Sequence, residues 1–310
     1  MLQKILVPLD GSSFAEGAIE TARLIASKHG ATLMFVSVHE PAMEDPTKVV
    51  SGAPVPDPRL DRERHRALQE YVQRMAAAER QRSTFPVEAV FSDGDPATEI
   101  AALADRSGVG LIVMTTHGRG GLERLWLGST ADRLVRSVHV PVLLVKPQEQ
   151  GAGPARLDRV VVALARRSED ERVLGALMDV TEPLRAIYHL IHVVVSRLPV
   201  PAVDLGVPPV PDELAALAAA GENEEVQLAR QYLEGIAATL RERGLEATSE
   251  VLRDGSVARA ITDYAARTGA NLIALATRGL GPVQRFLVGS VADKVMRSAH
   301  TSVLVCPPGS

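Results

Sequence analysis

Residues 118–129 read GRGGLERLWLGS, and residues 279–290 read GLGPVQRFLVGS. Both stretches begin with glycine and end with Gly-Ser, and they lie 161 residues apart. At that offset, residues 94–145 and 255–306 are identical at 21 of 52 positions. An offset of this size is that of a whole domain and is too long for a solenoid unit. The chain is therefore predicted to hold two similar domains in tandem.

The length of the chain and one Gly- and Pro-rich stretch set the predicted domain boundaries. A chain of 310 residues can form two domains, each with its own core. Residues 148–154 contain two glycines and a proline, which is typical of a linker. We predict a first domain over 1–147, a linker over 148–156 and a second domain over 157–308.

Composition and charge exclude several classes of protein. Hydrophobic residues make up 46% of the chain and charged residues 23%, as in ordinary soluble proteins. A net charge of −4 and an aromatic content of 3% argue against a nucleic-acid surface. Apolar runs fall short of the roughly 20 residues that a membrane span needs. Met1 leads directly into a strand-like stretch, which favours a cytoplasmic location, with neither nucleic acid nor membrane as a partner.

Short apolar runs alternate with segments of helical period in both halves of the sequence. This alternation is typical of βαβ units, which form a parallel sheet with helices on both faces. The predicted fold class is therefore α/β, with two doubly wound, Rossmann-like domains. Strands are predicted at 4–9, 32–39, 86–91, 111–115 and 142–146, and again at 159–164, 187–195, 246–252, 272–276 and 302–306.

A Pro-rich insert follows the second strand of each half, at 41–58 and 199–211. Long segments without apolar periodicity inside a compact domain are usually functional or mobile. The inserts are therefore predicted to be either lids over a ligand or plain surface loops.

Two loops of the first half are predicted to meet at one crevice. In open parallel sheets, ligands bind beyond the carboxyl ends of the strands, where the strand order reverses. The loop after the first strand contains Asp10, and the loop after the fourth contains Gly118 and its neighbours. Glycines allow several backbone amides to face one anion. The crevice could thus hold an anionic ligand, although Asp-Gly-Ser is also an ordinary turn.

A helix start adds to this predicted crevice. Ser129 is predicted to be the N-cap of a helix, with Asp132 three residues on as the partner in a capping box. The free amides and the positive dipole end of a helix start suit phosphate oxygens. The alternative, which the residues leave open, is a cap that needs no ligand.

The combined motifs resemble the universal stress protein family in its tandem form. The resemblance rests on Val7-Pro8-Leu9-Asp10-Gly11-Ser12, on Met114 through Gly121, and on Leu127-Gly128-Ser129 with the apolar run at 141–145. It implies a five-stranded parallel sheet of order 3-2-1-4-5 in each domain. In one branch of the family it also implies ATP bound at a motif of Gly, two residues, Gly, nine residues and Gly-Ser or Gly-Thr.

The resemblance assigns site residues in the first half. Gly118, Gly128 and Ser129 match the motif, but Thr115 stands at the first glycine position. Asp10 takes the position whose carboxylate meets the nucleoside, and Val38 the one whose backbone contacts adenine. Further cofactor-binding candidates from the matching stretches are Pro8, His117, Arg119, Gly121 and Thr130.

The second half departs further from the family pattern. Ala165 stands where Asp10 stands in the first half, and Ala276 replaces the first glycine, whereas Gly279, Gly289 and Ser290 are kept. A lost acceptor that leaves a buried donor unpaired costs about 1–3 kcal/mol. We therefore predict a weaker or empty second site.

The sequence favours a nucleotide-responsive regulator over an enzyme. The chain has no P-loop lysine motif. His117 is either a base beside the phosphates or a solvated loop histidine, and no catalytic residue or protein metal site is assigned. We predict an ATP-binding stress-response protein, with any Mg²⁺ carried by ATP. The alternatives are an interaction scaffold with vestigial pockets and a weak ATPase. Predicted partners are ATP, an unknown protein, or another copy of the chain through the strand 5 edges.

Overall fold

The computed structural model describes residues 2–41, 57–116, 127–146, 156–167, 169–195, 212–277 and 289–307. Several predictions lie outside these residues. They are the linker apart from Arg156, most of the first Pro-rich insert and all of the second, and the candidate site residues His117, Gly118, Arg119, Gly121 and Gly279.

The chain divides into two compact units, of which the first is drawn mostly from Met1–Arg156 and the second mostly from Leu157–Ala276. The elements of the first half are strands β1 (Lys4–Pro8), β2 (Thr32–His39), β3 (Val87–Asp93), β4 (Leu111–Thr115) and β5 (Val142–Val145), with helices α1 (Ser13–His29), α2 (Pro58–Arg80), α3 (Pro96–Ser107) and α4 (Ser129–Ser137).

The strands of the first half follow the order β3-β2-β1-β4-β5. Each neighbouring pair is parallel. The order reverses at β1, which pairs with β2 along its whole length and with β4 at Ile5 and Leu6. The order 3-2-1-4-5 implied by the resemblance is therefore confirmed in this half.

The second half repeats the arrangement, with order β10-β9-β6-β7-β8 and with β6 parallel to both β7 and β9. The predicted pair of doubly wound α/β domains is thus confirmed. The elements of this half are strands β6 (Arg159–Ala163), β7 (Ile187–Val195), β8 (Ala247–Asp254), β9 (Leu272–Ala276) and β10 (Ser302–Cys306). Helices α5 (Glu169–Thr181), α6 (Asp212–Glu242), α7 (Val257–Thr268) and α8 (Ser290–Ser298), with a short 3₁₀ turn (Glu182–Leu184), complete it.

The central strands explain why these sequences fold in this way. Ile5, Leu6 and Val7 of β1 are all 0% exposed, and so are residues 160–162 of β6. Strands covered by helices on both faces need such continuous apolar runs, because neither face meets water. Among the described helices, none has the length and apolar character needed to cross a membrane.

Local contacts set the two ends of α1. In the first unit, the Ser12 hydroxyl accepts a hydrogen bond from the Ala15 N–H (3.2 Å), which caps the start of α1. The helix ends at Gly30 with φ of 64°, in the left-handed region that glycine adopts without strain. The short loop between β1 and α1 therefore leads directly into a capped helix start.

Candidate functional site

A cavity of about 790 Å³ opens in the first unit, beside the carboxyl ends of β1 and β4. This is the point where the strand order reverses, which is where open parallel sheets usually bind ligands. The structure brings seven of the predicted site residues together in its lining: Pro8, Asp10, Val38, Thr115, Gly128, Ser129 and Thr130.

Asp10, just after β1, both shapes the turn into α1 and lines the cavity. Its Oδ1 accepts hydrogen bonds from the Ser12 N–H (2.9 Å) and from the Ser12 hydroxyl (2.6 Å). The carboxylate therefore shapes the turn into α1, as the plain-turn alternative required, and it also lines the cavity. Gly11 makes this turn possible, because its φ of 83° is one that L side chains rarely adopt.

Thr115 is the departure from the family motif, and its methyl group lies against α1. A Cβ built on Gly17 would be 3.6 Å from the Thr115 Cγ2, which is ordinary van der Waals contact. The side chain is 5% exposed. The side chain at this position thus packs against α1 beside Gly17.

The start of α4 corrects one prediction. Gly128, with φ of −60° and ψ of 148°, is the N-cap, and Ser129 is the first helical residue. Because glycine has no side chain, this cap makes no side-chain hydrogen bond to the helix start. Because the N-cap is Gly128, the capping-box position three residues on is Ala131 and not the predicted Asp132. The Asp132 carboxylate accepts hydrogen bonds from Arg136 (2.9 and 3.0 Å).

The helix start is held directly against β4. The Gly128 N–H donates to the Thr116 carbonyl at 2.7 Å, so α4 begins at the end of the strand. The first turn of a helix has N–H groups without intrahelical partners, and the helix dipole adds positive potential there. Because Ser129 and Thr130 lie in this turn and line the cavity, the arrangement suits an anion.

Helix α2 forms a wall of the cavity that the sequence analysis did not assign to the site. Arg64, Leu68 and Tyr71 line the cavity from successive turns of this helix. The Tyr71 hydroxyl donates to Glu16 Oε1 (3.0 Å), which connects α2 to α1. The helical spacing of these residues was the available signal, but the period alone does not say whether a helix face packs on a core or on a ligand.

His39, next to Val38, joins three elements beside the cavity. Its ring is 7% exposed, and its Nδ1 lies 3.1 Å from Asp93 Oδ1. Its Nε2 lies 3.2 Å from Asp61 Oδ1, within ion-pair distance although not aligned as a hydrogen bond. His65 Nε2 lies 3.3 Å from Asp93 Oδ2. These contacts fix α2 against β2 and β3. Over the described ranges, no three His, Cys, Asp or Glu side chains are placed to hold a metal ion.

A comparison with protein families decides what this arrangement belongs to. The model of the universal stress protein family matches residues 1–146 and again residues 156–307. The chain belongs to the universal stress protein family. The resemblance seen in the sequence, including its tandem form, is confirmed.

Curated relatives match half of this universal stress protein at a time. A universal stress protein of Thermus aquaticus is 34% identical over 146 residues, which is 47% of this chain and 100% of the relative. Universal stress protein MJ0531 of Methanocaldococcus jannaschii is 32% identical over 146 residues, which is 47% of this chain and 83% of the relative. Universal stress protein YxiE of Bacillus subtilis is 29% identical over 148 residues, covering 47% of this chain and all of the relative.

A solved structure matches both halves together. A universal stress protein from Archaeoglobus fulgidus has a TM-score of 0.69 at 20% identity, covering 99% of this chain and 97% of the other. A putative universal stress protein from Pseudomonas aeruginosa has a TM-score of 0.63 at 17% identity and covers 98% of this chain and 92% of the other. These likenesses establish the fold.

The second unit of this universal stress protein has a carboxylate that the sequence analysis missed. Ala165 stands at the position of Asp10, but Asp170 is buried beside it (2% exposed). Its Oδ1 accepts from the Ala165 N–H (3.0 Å), and its Oδ2 accepts from the Arg167 N–H (3.0 Å) and the Tyr232 hydroxyl (2.9 Å). The loop after β6 is thus closed by a side chain of α5.

The other predicted residues of the second unit keep part of the pattern. Gly289 is the N-cap of α8 and Ser290 is its first residue, as Gly128 and Ser129 are in α4. Ala276 ends β9 at the position that Thr115 takes in β4. The helix start is therefore the same in both units, whereas the loop after the first strand is not.

Proposed function

We propose that this universal stress protein binds ATP, mainly in the first unit, and acts as a nucleotide-dependent regulator in a stress response. The observation that carries the proposal is the convergence of seven sequence-predicted residues on one cavity of about 790 Å³. That volume lies within the usual range of about 300–1,000 Å³ for sites that bind small molecules.

Each part of the cavity has a proposed role toward ATP. The Asp10 carboxylate accepts hydrogen bonds from the nucleoside end, and the backbone of Val38 contacts adenine. The first turn of α4, with Ser129 and Thr130, faces the phosphates with its amides and dipole. The proposed phosphate-side residues of the glycine loop are His117, Gly118, Arg119 and Gly121. Mg²⁺ is proposed to arrive with ATP, held largely by phosphate oxygens as is usual for this ion.

The proposed output is a change of binding surface. ATP would order residues near the cavity and alter what the chain offers to a protein partner or to a second copy. The proposed route of self-association uses β5 and β10, each at one end of the strand order of its half. A cytoplasmic location and a weaker second site at Gly279, Gly289 and Ser290 belong to the same proposal.

Equilibrium dialysis of the purified full chain against ATP with Mg²⁺ tests the proposal. We expect about one ATP per chain, and we expect Asp10→Ala to weaken binding roughly tenfold to a hundredfold, as for a buried donor left unpaired. Asp254→Ala is the matched control. Asp254 Oδ1 accepts from the N–H two residues on (Ser256, 2.7 Å), as Asp10 does, but it lies in the second unit. That variant should bind ATP like the unaltered chain.

Two results would redirect the assignment. Absence of bound ATP at millimolar concentration would leave the interaction scaffold as the remaining hypothesis. The hydrogen-bonded loop around Asp170 favours that hypothesis for the second unit. Steady phosphate release well above background, lost in Asp10→Ala, would identify a weak ATPase instead. Equal binding by Asp10→Ala and the unaltered chain would show that ATP binds elsewhere.

A further inference from the structure

The backbone registers of the two units identify which residues correspond at the start of the first helix. Lys4 pairs with Thr32 in the first unit, and Arg159 pairs with Ile187 in the second. Each residue of the second pair lies 155 positions after its counterpart in the first. The left-handed residues Gly11 and Arg166 have the same offset, and so do the left-handed residues 30 and 185. Because these positions bracket α1 and α5 at both ends, the helices correspond without a gap.

At this offset, Asp170 corresponds to Ala15. Ala15 lines the cavity of the first unit with a methyl group. Asp170 instead brings a carboxylate into the loop after β6, where it is 2% exposed and accepts three hydrogen bonds. At this one position, therefore, the second unit has a buried carboxylate where the first unit has a methyl group that lines the cavity.

The two carboxylates hold corresponding loops, each from a different element of its unit. Asp10 Oδ1 accepts from the Ser12 N–H, and Asp170 Oδ2 accepts from the N–H of Arg167, the residue that corresponds to Ser12. Asp10 belongs to the loop itself, whereas Asp170 reaches the loop from the helix. The loop of the second unit is therefore closed by a group that lies where Ala15 leaves the cavity open.

The corresponding tyrosines of α2 and α6 also have different hydrogen-bond partners in the two units. Tyr71 and Tyr232 are 161 residues apart, the offset of the glycine repeat. Tyr71 donates to Glu16 beside the open cavity, whereas Tyr232 donates to Asp170. In the second unit the tyrosine, the carboxylate and two backbone amides form one satisfied network. Opening it would leave several buried polar groups unpaired, each at a cost of about 1–3 kcal/mol.

We propose that Asp170 is an internal occupant that excludes nucleotide from the second unit, and that Ala15 is the residue that admits it to the first. The proposal rests on the proposed ATP site and names the residue that decides between the units. Asp170 takes up the amide hydrogens of the loop that, in the first unit, is proposed to hold the nucleoside end. Its charge is buried, unlike that of the part-exposed Asp10, and a buried negative charge disfavours a polyanionic ligand beside it. The weaker second site then follows from an added group, and not only from the missing Asp10 counterpart.

Reciprocal exchange of these residues in the full chain tests the proposal. Ala15→Asp gives the first unit the residue of the second, and we expect at least tenfold weaker ATP binding. Asp170→Ala with Ala165→Asp gives the second unit the residues of the first, including an acceptor for the Arg167 N–H. Equilibrium dialysis of this double variant should show a second ATP per chain, approaching two in total.

A matched control separates charge from loosened packing. Tyr232→Phe removes one hydrogen bond from the network but keeps the carboxylate, so it should not gain a second ATP. If the double variant does not fold, as judged by circular dichroism, Asp170→Asn keeps the volume without the charge and should gain partial occupancy. Full ATP binding by Ala15→Asp, or no gain by any folded Asp170 variant, would overturn the proposal.

The same measurements distinguish this inference from the proposed function. If the unaltered chain binds no ATP, the proposed function fails. A gain of binding in the double variant would still support the role of Asp170 in that case. If neither the unaltered chain nor the double variant binds ATP, both fail together.

Discussion

The loop after the first strand is held differently in the two units, although the strands and helices around it correspond. In the first unit, Asp10 holds the loop after β1 and leaves a cavity of about 790 Å³ beside it. In the second unit, Asp170 of α5 accepts hydrogen bonds from two backbone N–H groups of the corresponding loop. The difference shows that two units of the same fold can hold the loop after the first strand with different side chains.

The helices and strands around these loops make the same individual contacts in both units. Arg80 Nε donates to the Val87 carbonyl (2.9 Å) at the end of α2, and Arg241 Nε donates to the Ala247 carbonyl (2.8 Å) at the end of α6. The pairs Asp132–Arg136 and Asp293–Arg297 recur at the same step in α4 and α8. Since these contacts do not involve the loop after the first strand, they remain while that loop changes.

The largest expected effect comes from an ion pair of the first unit that the second replaces with apolar residues. Glu79, 3% exposed, accepts hydrogen bonds from Arg23 (2.6 and 2.7 Å) and Ser83 (2.7 Å). Burial raises the pKa of the Glu79 carboxyl, but these hydrogen bonds and the Arg23 charge outweigh it and lower the pKa overall. The corresponding residues of the second unit are Met178 and Leu240, both buried.

Replacing one member of the ion pair should destabilise the chain, whereas replacing both with the apolar residues of the second unit should not. Arg23→Met leaves a buried carboxylate without its main partner and should lower the free energy of unfolding by about 2–3 kcal/mol, because Arg23 is partly exposed. Arg23→Met with Glu79→Leu should return to within about 1 kcal/mol of the unaltered chain. Urea unfolding followed by far-ultraviolet circular dichroism measures both. A double variant as unstable as the single one would contradict this account.

A smaller, pH-dependent effect is expected at the start of α3. Arg133 donates two hydrogen bonds of 2.6 Å to Asp95, the N-cap of α3, and Thr98 donates two more. The Arg133 hydrogen bonds are the main cause that lowers the pKa of Asp95 to about 2. The second unit has Ser256 and Lys294 at these positions, and the Ser256 side chain makes no cap hydrogen bond.

The sign of this effect follows from the lowered pKa. Asp95 titrates at a lower pH when folded than when unfolded, so its contribution is complete above about pH 4 and is lost as the pH falls toward 2. Asp95→Ser, which introduces the residue of the second unit, should lower the thermal midpoint at pH 7. The gap to the unaltered chain should narrow as the pH falls below 4. A gap that stays constant down to pH 3 would mean that the Asp95 charge does not contribute.

Sequence patterns predicted the frame well because they act locally. The predicted strands 32–39, 111–115, 187–195 and 272–276 agree with the structure at both ends, since apolar runs and adjacent turn residues set their limits. The helix start at residue 129 was predicted one residue too late: the N-cap is Gly128, whose backbone is held by Thr116. A tertiary hydrogen bond, from Gly128 to Thr116, therefore sets the N-cap at Gly128, although serine is the more usual N-cap residue.

The candidate site was predicted where it depends on loops next to strands, and missed where it depends on packing. The residues after β1 and β4 could be placed together from topology alone. Asp170 was missed because its role depends on where α5 lies over the loop, which no local pattern states. The offset of 155 at this helix, instead of the 161 of the glycine repeat, was the signal that would have aligned it with Ala15.

The smallest expected effect lies at the ends of α1 and of the 3₁₀ turn that follows α5. Gly30 (φ 64°, ψ 25°) and Arg185 (φ 52°, ψ 49°) share the left-handed conformation, but Arg185 has a Cβ that this conformation disfavours by about 1–2 kcal/mol. Arg185→Gly should therefore stabilise the second unit by about 0.5–1 kcal/mol, after the greater freedom of glycine in the unfolded chain is subtracted. Gly30→Ala, with no atoms within 4 Å of the added Cβ, should destabilise the first unit through backbone strain alone. Thermal unfolding of both variants measures the pair. Changes of the same sign would show that the backbone conformation does not govern these positions, because the two substitutions move a residue into and out of the same strained region.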